Sequence, residues 1–204
     1  MKKLVTSSRE YGSGGRIIGK LLAEKLDVPF YDKEIIEIAA KESGFSKELM
    51  EESELKAKNS FAYSLSSMSS FGEGIGANML SVNERMFIAQ FQVIREIGEK
   101  GEAVIVGRCA DYVLKDFPGV TNAFIYGEYD DRVKRAIEKY GVSEREADDK
   151  VSSYDKARAN YYNYHTGRKW GDYRNYNLSI DSSYIDEDEA ACLIADYVER
   201  RSYR

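Results

Sequence analysis

The chain has 204 residues, which is enough for one domain of ordinary size. Hydrophobic residues make up 43% and charged residues 32% of it, a composition typical of globular proteins and unlike that of collagens, coiled coils or wholly disordered chains. The formal net charge of −5 argues against a nucleic-acid partner, because nucleic-acid phosphates favour positively charged proteins. His165 is the single histidine, so a metal cluster of several histidines is excluded, and we expect His165 to have no catalytic role.

Apolar runs and cysteines bear on the compartment. No apolar run approaches the ~18 residues of a membrane span, so no membrane partner is expected. The two cysteines, Cys109 and Cys192, are too few for a disulfide framework, and reduced thiols are typical of a cytoplasmic protein. The sequence leaves open whether the protein is a monomer or a homo-oligomer.

Short apolar, β-branched runs alternate with amphipathic segments along the chain. The runs predict five strands, at residues 4–6, 28–31, 103–106, 121–126 and 178–180. Apolar residues at helical spacing predict helices at about 15–26, 33–43, 46–55, 82–99, 109–115, 129–139, 144–164 and 187–200. Side chains that can cap a helix precede four of them: Asp32, the capping-box pairs Ser81–Glu84 and Ser143–Glu146, and Asp186. This alternation predicts a three-layer α/β/α fold around a parallel five-stranded sheet.

Residues 59–81 differ in composition from the rest of the chain. Seven serines and three glycines stand there among scattered aromatic and aliphatic residues. The segment is predicted to be a mobile loop or a loosely packed insert. A loop that contacts a partner protein is one hypothesis for its role.

The turn after the first strand, residues 9–16, is the clearest functional signal. It contains Gly12, Gly14 and Gly15 directly before a helix. The first turn of a helix exposes unpaired backbone N–H groups, and glycines let an anion approach them, so the turn predicts a phosphate site. A plain strand–helix turn with a tight glycine cluster is the alternative interpretation.

This turn differs from the common phosphate loop, G-x-x-x-x-G-K-[ST], whose lysine reaches the terminal phosphates. Gly15 falls at the lysine position if the helix sets the alignment, whereas Arg16 falls there if the glycines set it. In the second case the guanidinium of Arg16 replaces the ammonium group. Ile17 stands where the hydroxyl residue is expected.

Cations also follow the third predicted strand and recur in one later segment. Arg108 comes just after that strand, where open α/β sheets bind ligands, and so it is predicted to hold a substrate phosphate. A surface arginine paired with an acid is the alternative. Residues 154–176 combine Lys156, Arg158 and three other cations with six tyrosines, which predicts a local anion site. Each single tyrosine is more readily explained by packing.

Five segments of the chain together resemble a known family: Ser8–Gly19, Pro29–Ile36, Val106–Asp111, Lys156–Tyr162 and Gly171–Tyr173. They are similar to the cytidylate kinase-like family, and the resemblance covers nearly the whole chain. It implies a P-loop kinase-like fold in one domain, with a helical substrate-binding insert at about 33–82 and a lid at about 154–175. It also implies transfer of the γ-phosphoryl group of ATP to a nucleoside monophosphate such as CMP, with Mg²⁺.

The resemblance further implies roles for individual residues. The implied ATP-binding residues are Gly12, Ser13, Gly14, Gly15, Arg16, Ile17 and Arg132. The implied catalytic cations are Arg16, Lys156 and Arg158, the implied acceptor-binding residues are Arg108 and Asp32, and no metal-binding side chain is implied. The chain departs from the family pattern by its missing loop lysine, by Cys109 in place of an acid, and by Ile38 in place of a substrate arginine.

Three functions are therefore open at this point. The first is a nucleotide kinase in which an arginine substitutes for the lysine, and the second is a non-catalytic nucleotide- or anion-binding protein. The third is an interaction module that uses residues 59–81. An active enzyme requires Arg16, Arg108 and the lid pair Lys156 and Arg158 around one phosphate-sized site, whereas a binder does not require the lid pair.

Overall fold

The computed structural model describes residues 3–56 and 81–201. Residues 59–80 of the predicted loop lie outside them, so that assignment stays a prediction. The strands are β1 (Leu4–Arg9), β2 (Phe30–Tyr31), β3 (Ala103–Val106), β4 (Thr121–Tyr126) and β5 (Leu178–Asp181). The described α-helices are α1 (Gly15–Leu26), α2 (Glu34–Ser43), α3 (Lys47–Lys56), α4 (Val82–Lys100), α5 (Ala110–Val113), α6 (Tyr129–Tyr140), α7 (Glu144–Thr166) and α8 (Glu187–Arg201).

All five strands pair in parallel, in the order β2-β3-β1-β4-β5, which confirms the predicted α/β sheet. β1 lies at the centre, and Ser7 in β1 is in register with Val106 at the end of β3. The chain thus places the turn after β1 beside the turn after β3. In open parallel sheets, ligands bind in the crevice outside these carboxyl ends.

Two apolar clusters cover the two faces of the sheet. The first combines Leu4 and Ile105 with side chains of α2, α4 and α5. The second combines Val5 and Val104 with side chains of α1 and α8. Neighbouring residues of one strand face opposite clusters because side chains alternate along a strand. This arrangement explains why β3 is a continuous apolar run and confirms the three-layer prediction.

Some of the helix caps that the sequence predicts are confirmed and others are not. Ser81 accepts from the backbone N–H of Glu84, whose side chain returns to Ser81, so this capping box is confirmed. Asp186 is confirmed too, because it accepts from the backbone N–H of Glu189. The prediction of a second capping box was wrong. The Ser143 hydroxyl donates to the Glu146 side chain, and no side-chain cap binds the backbone at the start of α7.

The predicted cap at Asp32 was also wrong. Lys33 is the N-cap of α2, and no side chain caps that helix. The carboxylate of Asp32 instead lies against the guanidinium groups of Arg9 and Arg16. In the described ranges, no helix is both long and apolar enough to span a bilayer.

Candidate functional site

A cavity of ≈150 Å³ lies at the carboxyl ends of β1 and β3. Its walls are formed by the end of β1, the turn after β3 and the middle of α7, with Trp170 closing one side. The Trp170 indole donates a hydrogen bond to Ser8 Oγ at 3.0 Å. The end of the sheet therefore meets α7 and Trp170 around one cavity.

Three arginines line this cavity: Arg9 from β1, Arg108 from the turn after β3 and Arg158 from α7. Arg158 donates from Nη1 to the backbone carbonyl of Arg9 at 3.0 Å. Burial lowers the pKa of each of the three, and in Arg108 and Arg158 the charge of Arg9 lowers the pKa further, to about 9 in Arg158. Crowded guanidinium groups of this kind are stabilised by an anion.

Arg108 lies on a strained turn. Gly107, Arg108 and Cys109 all have positive φ, at 81°, 59° and 55°. Left-handed backbone is uncommon in residues with a side chain and costs on the order of 1 kcal/mol or more for each. Such strain is retained where it aims a functional group, and here it brings Arg108 to the cavity.

Asp32 connects the cavity to the first helix. Its carboxylate is 3.4 Å from Arg9 Nη2 and 2.6 Å from Arg16 Nε. Burial alone would raise the pKa of Asp32, but the charge of Arg9 and the hydrogen bond from Arg16 outweigh it and keep that pKa below its usual value. Asp32 is therefore an anion that orients two arginines.

The glycine turn has the geometry of an anion-binding loop at the start of α1. Gly12 and Gly14 have φ of 83° and 75°, which residues with side chains rarely adopt. Gly14 is the N-cap of α1 and has no side-chain cap, so no cap side chain binds the N–H groups of the first turn, although residues 12–15 are themselves buried. The Ser13 side chain is buried and donates to the Glu10 carbonyl at 2.9 Å. Ile17 is partly exposed on α1.

Asp155 of α7 already binds one backbone N–H of this turn. Its Oδ1 accepts from the backbone N–H of Tyr11 at 2.6 Å. The other oxygen is 2.5 Å from Arg132 Nη1. A carboxylate of the chain thus binds where an anionic ligand would be attracted.

Arg132 and Arg135 hold the turn in place from α6. Arg132 is 7% exposed, is paired with Glu10 and Asp155, and donates to the carbonyls of Tyr11 and Gly127. Arg135 donates to the Gly12 carbonyl at 2.9 Å. These bonds occupy the Arg132 guanidinium, and the structure does not bring it to the cavity.

Three cations were predicted to be catalytic. Arg158 lines the cavity, whereas Arg16 and Lys156 lie outside it. The Arg16 side chain is 59% exposed and pairs with Asp32. Lys156 is exposed on α7. Two residues along a helix point in nearly opposite directions, so α7 cannot direct Lys156 and Arg158 to the same side.

Sequence reasoning missed Arg9, Asp111 and Asp155. Asp111 lines the cavity and accepts from the Tyr162 hydroxyl at 2.6 Å, and burial raises its pKa. Arg9 stands within the glycine turn, and its position at the end of β1 is the signal that could have found it. Asp155 offers no such signal, because its contact depends on how α7 packs.

His165 and Cys109 are both packed among other side chains, and Cys109 also lines the cavity. His165 stacks on Phe87 with ring centroids 4.0 Å apart, and burial lowers its pKa to about 4. Cys109 is buried, and burial raises the pKa of its thiol. Both features belong to packed side chains, and the absence of a catalytic role for His165 stays a prediction.

Mg²⁺ does not fit a site built by the protein here. Over the described part of the chain, no group of three or more His, Cys, Asp or Glu residues is placed to hold a metal ion. Asp32, the carboxylate beside the glycine turn, is held by two arginines.

Comparisons with known proteins identify the family and the fold of the chain. The model of the cytidylate kinase-like family matches residues 4–184. An uncharacterized protein from Eubacterium ventriosum, known from a crystal structure, is 31% identical over 97% of this chain and 98% of its own, with a TM-score of 0.69. No curated protein matches.

Two shikimate kinases share the fold at low sequence identity. The enzyme from Bacteroides thetaiotaomicron is 15% identical over 97% of this chain and 98% of its own, with a TM-score of 0.56. The enzyme from Acinetobacter baumannii, in complex with shikimate, is 12% identical over 99% of this chain and 96% of its own, with a TM-score of 0.52. The fold is thus that of P-loop kinases, and the chain belongs to the cytidylate kinase-like family.

Proposed function

We propose that this protein is a nucleotide kinase that transfers the γ-phosphoryl group of ATP to a nucleoside monophosphate such as CMP. The observation that carries the proposal is the convergence of Arg9, Arg108 and Arg158 on one cavity beside the glycine turn. Phosphoryl transfer needs positioning and neutralisation of negative charge more than it needs covalent chemistry, and guanidinium groups supply both.

In the proposed reaction, an oxygen of the acceptor phosphate attacks the γ-phosphorus of ATP. The new phosphorus–oxygen bond forms as the bond to the β–γ bridging oxygen breaks, and ADP leaves with that electron pair. A monophosphate is largely a dianion at neutral pH, so no proton has to be removed from the nucleophile. A reaction that needs no base suits this site, because the carboxylate of Asp32 is already paired with two arginines.

The cations divide between donor and acceptor. We assign the ATP phosphates to the turn of residues 12–15 and the acceptor phosphate to Arg108. Arg158 lies on the predicted lid, over 154–175, and is assigned to the phosphoryl group in transit. A helical lid that closes over these groups would exclude water and protect ATP from hydrolysis.

The cavity size bears on the acceptor. A space of ≈150 Å³ suits a group of the size of benzene, so it holds the phosphate of the acceptor and leaves the nucleoside outside. The identity of the base therefore depends on residues other than the three arginines. A cytoplasmic location, where ATP is available, fits this role and stays a prediction, as does the insert over 33–82.

A coupled assay of ADP release over a panel of nucleoside monophosphates tests the proposal. We expect turnover with at least one monophosphate and little ADP without an acceptor. The Arg108→Ala variant should raise the KM for the acceptor much more than the KM for ATP. Arg145→Ala, which removes an exposed arginine of α7, is the matched control. Absence of ADP release with every monophosphate would contradict the proposal.

A non-catalytic anion-binding protein is the second candidate. It is favoured by the contact of Asp155 with the Tyr11 N–H, since a carboxylate there competes with ATP for the turn. Binding of ATP without any ADP release would favour this function over the kinase.

A further inference from the structure

The start of α1 decides which residue stands at the position of the missing lysine. The helix begins at Gly15, and Gly14 is its N-cap in left-handed conformation. In the common loop the lysine directly follows the last glycine, at the start of the helix. Residues 9–16 align with that pattern when Arg9 takes the first position, Gly14 the last glycine and Gly15 the lysine.

The space that a side chain at position 15 would occupy is filled by Arg9. A Cβ added to Gly15 would lie 2.5 Å from Arg9 Cβ and 2.9 Å from Arg9 Cγ. Real Cβ atoms essentially never make such contacts. The stem of Arg9 therefore runs through the volume where the lysine stem would begin.

The far end of the Arg9 side chain reaches the turn after β3. A Cβ added to Gly107 would collide with Arg9 Nη1, so Gly107 is needed for the guanidinium to lie there. The Arg9 side chain is 18% exposed and lines the cavity. Its guanidinium thus reaches from the glycine turn to the place assigned to the acceptor phosphate.

The Arg16 side chain points away from the cavity that the Arg9 side chain lines. Its guanidinium pairs with Asp32 and is largely exposed, and Arg16 is not among the residues that line the cavity. Arg16 therefore orients Asp32, which in turn lies 3.4 Å from Arg9. It is a positioning residue in this geometry.

We propose that Arg9 supplies the phosphate-binding cation of the loop, so that the charge has moved from the start of the helix to the end of the first strand. This inference rests on the proposed function, because it names the group that contacts the transferring phosphates. Arginine suits the exchange, since its long side chain crosses the vacant position and its planar fork can bind two phosphate oxygens.

A reciprocal exchange of the two positions tests the inference. Arg9→Gly should lower kcat/KM about 10²- to 10³-fold, as expected for loss of a cation at developing charge. Gly15→Lys should also be inactive, because its side chain collides with Arg9. The double variant Arg9→Gly/Gly15→Lys rebuilds G-x-x-x-x-G-K and should recover at least tenfold over either single variant.

The control is Gly15→Lys/Arg16→Ser, which restores the Lys-Ser pair and leaves Arg9 in place. If Arg9 is the functional cation, this control does not recover. Recovery in it would show that a lysine at position 15 is accommodated and acts with Arg9 still in place, which would overturn the inference. Thermal melting of each variant separates lost folding from lost function.

Calorimetric titration with pyrophosphate gives a readout that is independent of turnover. Wild type should bind pyrophosphate, Arg9→Gly should lose most of the affinity, and the double variant should regain it. Unchanged affinity in a folded Arg9→Gly variant overturns the inference and leaves the kinase proposal standing. Absence of both pyrophosphate binding and ADP release in the wild type would overturn the two together.

Discussion

Two groups of arginines surround the glycine turn, and their surroundings differ. Arg132 and Arg135 of α6 are matched to carboxylates and backbone carbonyls that they hold in place. Arg9, Arg108 and Arg158 line a cavity, where the charge of Arg9 lowers the pKa of the other two. The first group is paired with acids of the chain, whereas the three arginines of the second group line the cavity together with a single carboxylate among the described residues, that of Asp111.

The difference separates structure from function. A matched buried arginine stabilises the fold, and its loss leaves acids without a counter-charge. Crowded arginines disfavour the ligand-free state and gain from an anion. The α6 arginines should therefore affect stability when they are replaced, and the cavity arginines should affect phosphate binding.

The largest expected effect is at Arg132. Arg132→Met would leave Glu10 and Asp155, both partly buried near the turn, without the Arg132 guanidinium and should cost about 3 kcal/mol of unfolding free energy. For a chain of this size that lowers the melting temperature by roughly 10 °C. Differential scanning calorimetry of this variant beside Arg145→Met measures it. A loss no larger than that of Arg145→Met would contradict the structural role.

Arg108→Met should behave in the opposite way. It keeps a side chain of similar length on the strained turn and removes one of the crowded charges, so the melting temperature should stay the same or rise. Phosphate affinity should fall by about 1.5–3 kcal/mol, roughly 10- to 150-fold. Calorimetric titration and thermal melting on the same sample measure both quantities. A large loss of stability with intact phosphate binding would place Arg108 in the structural group.

Arg158 and Lys156 divide the predicted lid pair. Arg158→Ala should lower kcat about tenfold or more, because its guanidinium lines the cavity. Lys156→Ala should have a clearly smaller effect, since Lys156 is exposed on the same helix. Steady-state kinetics of both variants in the coupled assay compares them. Equal losses would indicate that α7 rotates or shifts when ligand binds.

His165 gives the smallest effect and lies outside both groups. Its folded-state pKa of about 4 lies below the ordinary value of 6.5, so its neutral form is favoured in the fold. The associated stability is fully present above pH 6.5 and is lost as the pH falls towards 4, with about 2 kcal/mol lost by pH 5. Urea unfolding at pH 7.5 and pH 5 should show a smaller difference in His165→Phe than in wild type. Identical differences would exclude His165 as the source.

The sequence was sufficient for most of the fold. Apolar runs located every strand, because buried parallel strands need continuous β-branched segments, and Gly14 and Gly15 located the start of α1. The strand order β2-β3-β1-β4-β5 depends on contacts between distant segments, and a pattern of local periodicity does not encode it.

The direction of individual side chains was the part that local patterns could not predict. Arg9 and Arg16 stand at either end of the same turn, yet Arg9 lines the cavity, whereas the Arg16 side chain is largely exposed and only pairs with the buried Asp32. Asp32 does not cap α2 as predicted, because two guanidinium groups attract its carboxylate more strongly than one backbone N–H does. Such outcomes depend on tertiary neighbours.

A crystal structure of the protein grown with pyrophosphate tests the central claim most directly. The account predicts one phosphate group within hydrogen-bond distance of the guanidinium groups of Arg9 and Arg108, with the other against the N–H groups that open α1. Pyrophosphate bound elsewhere, with the three arginines unchanged around an unliganded cavity, would contradict it.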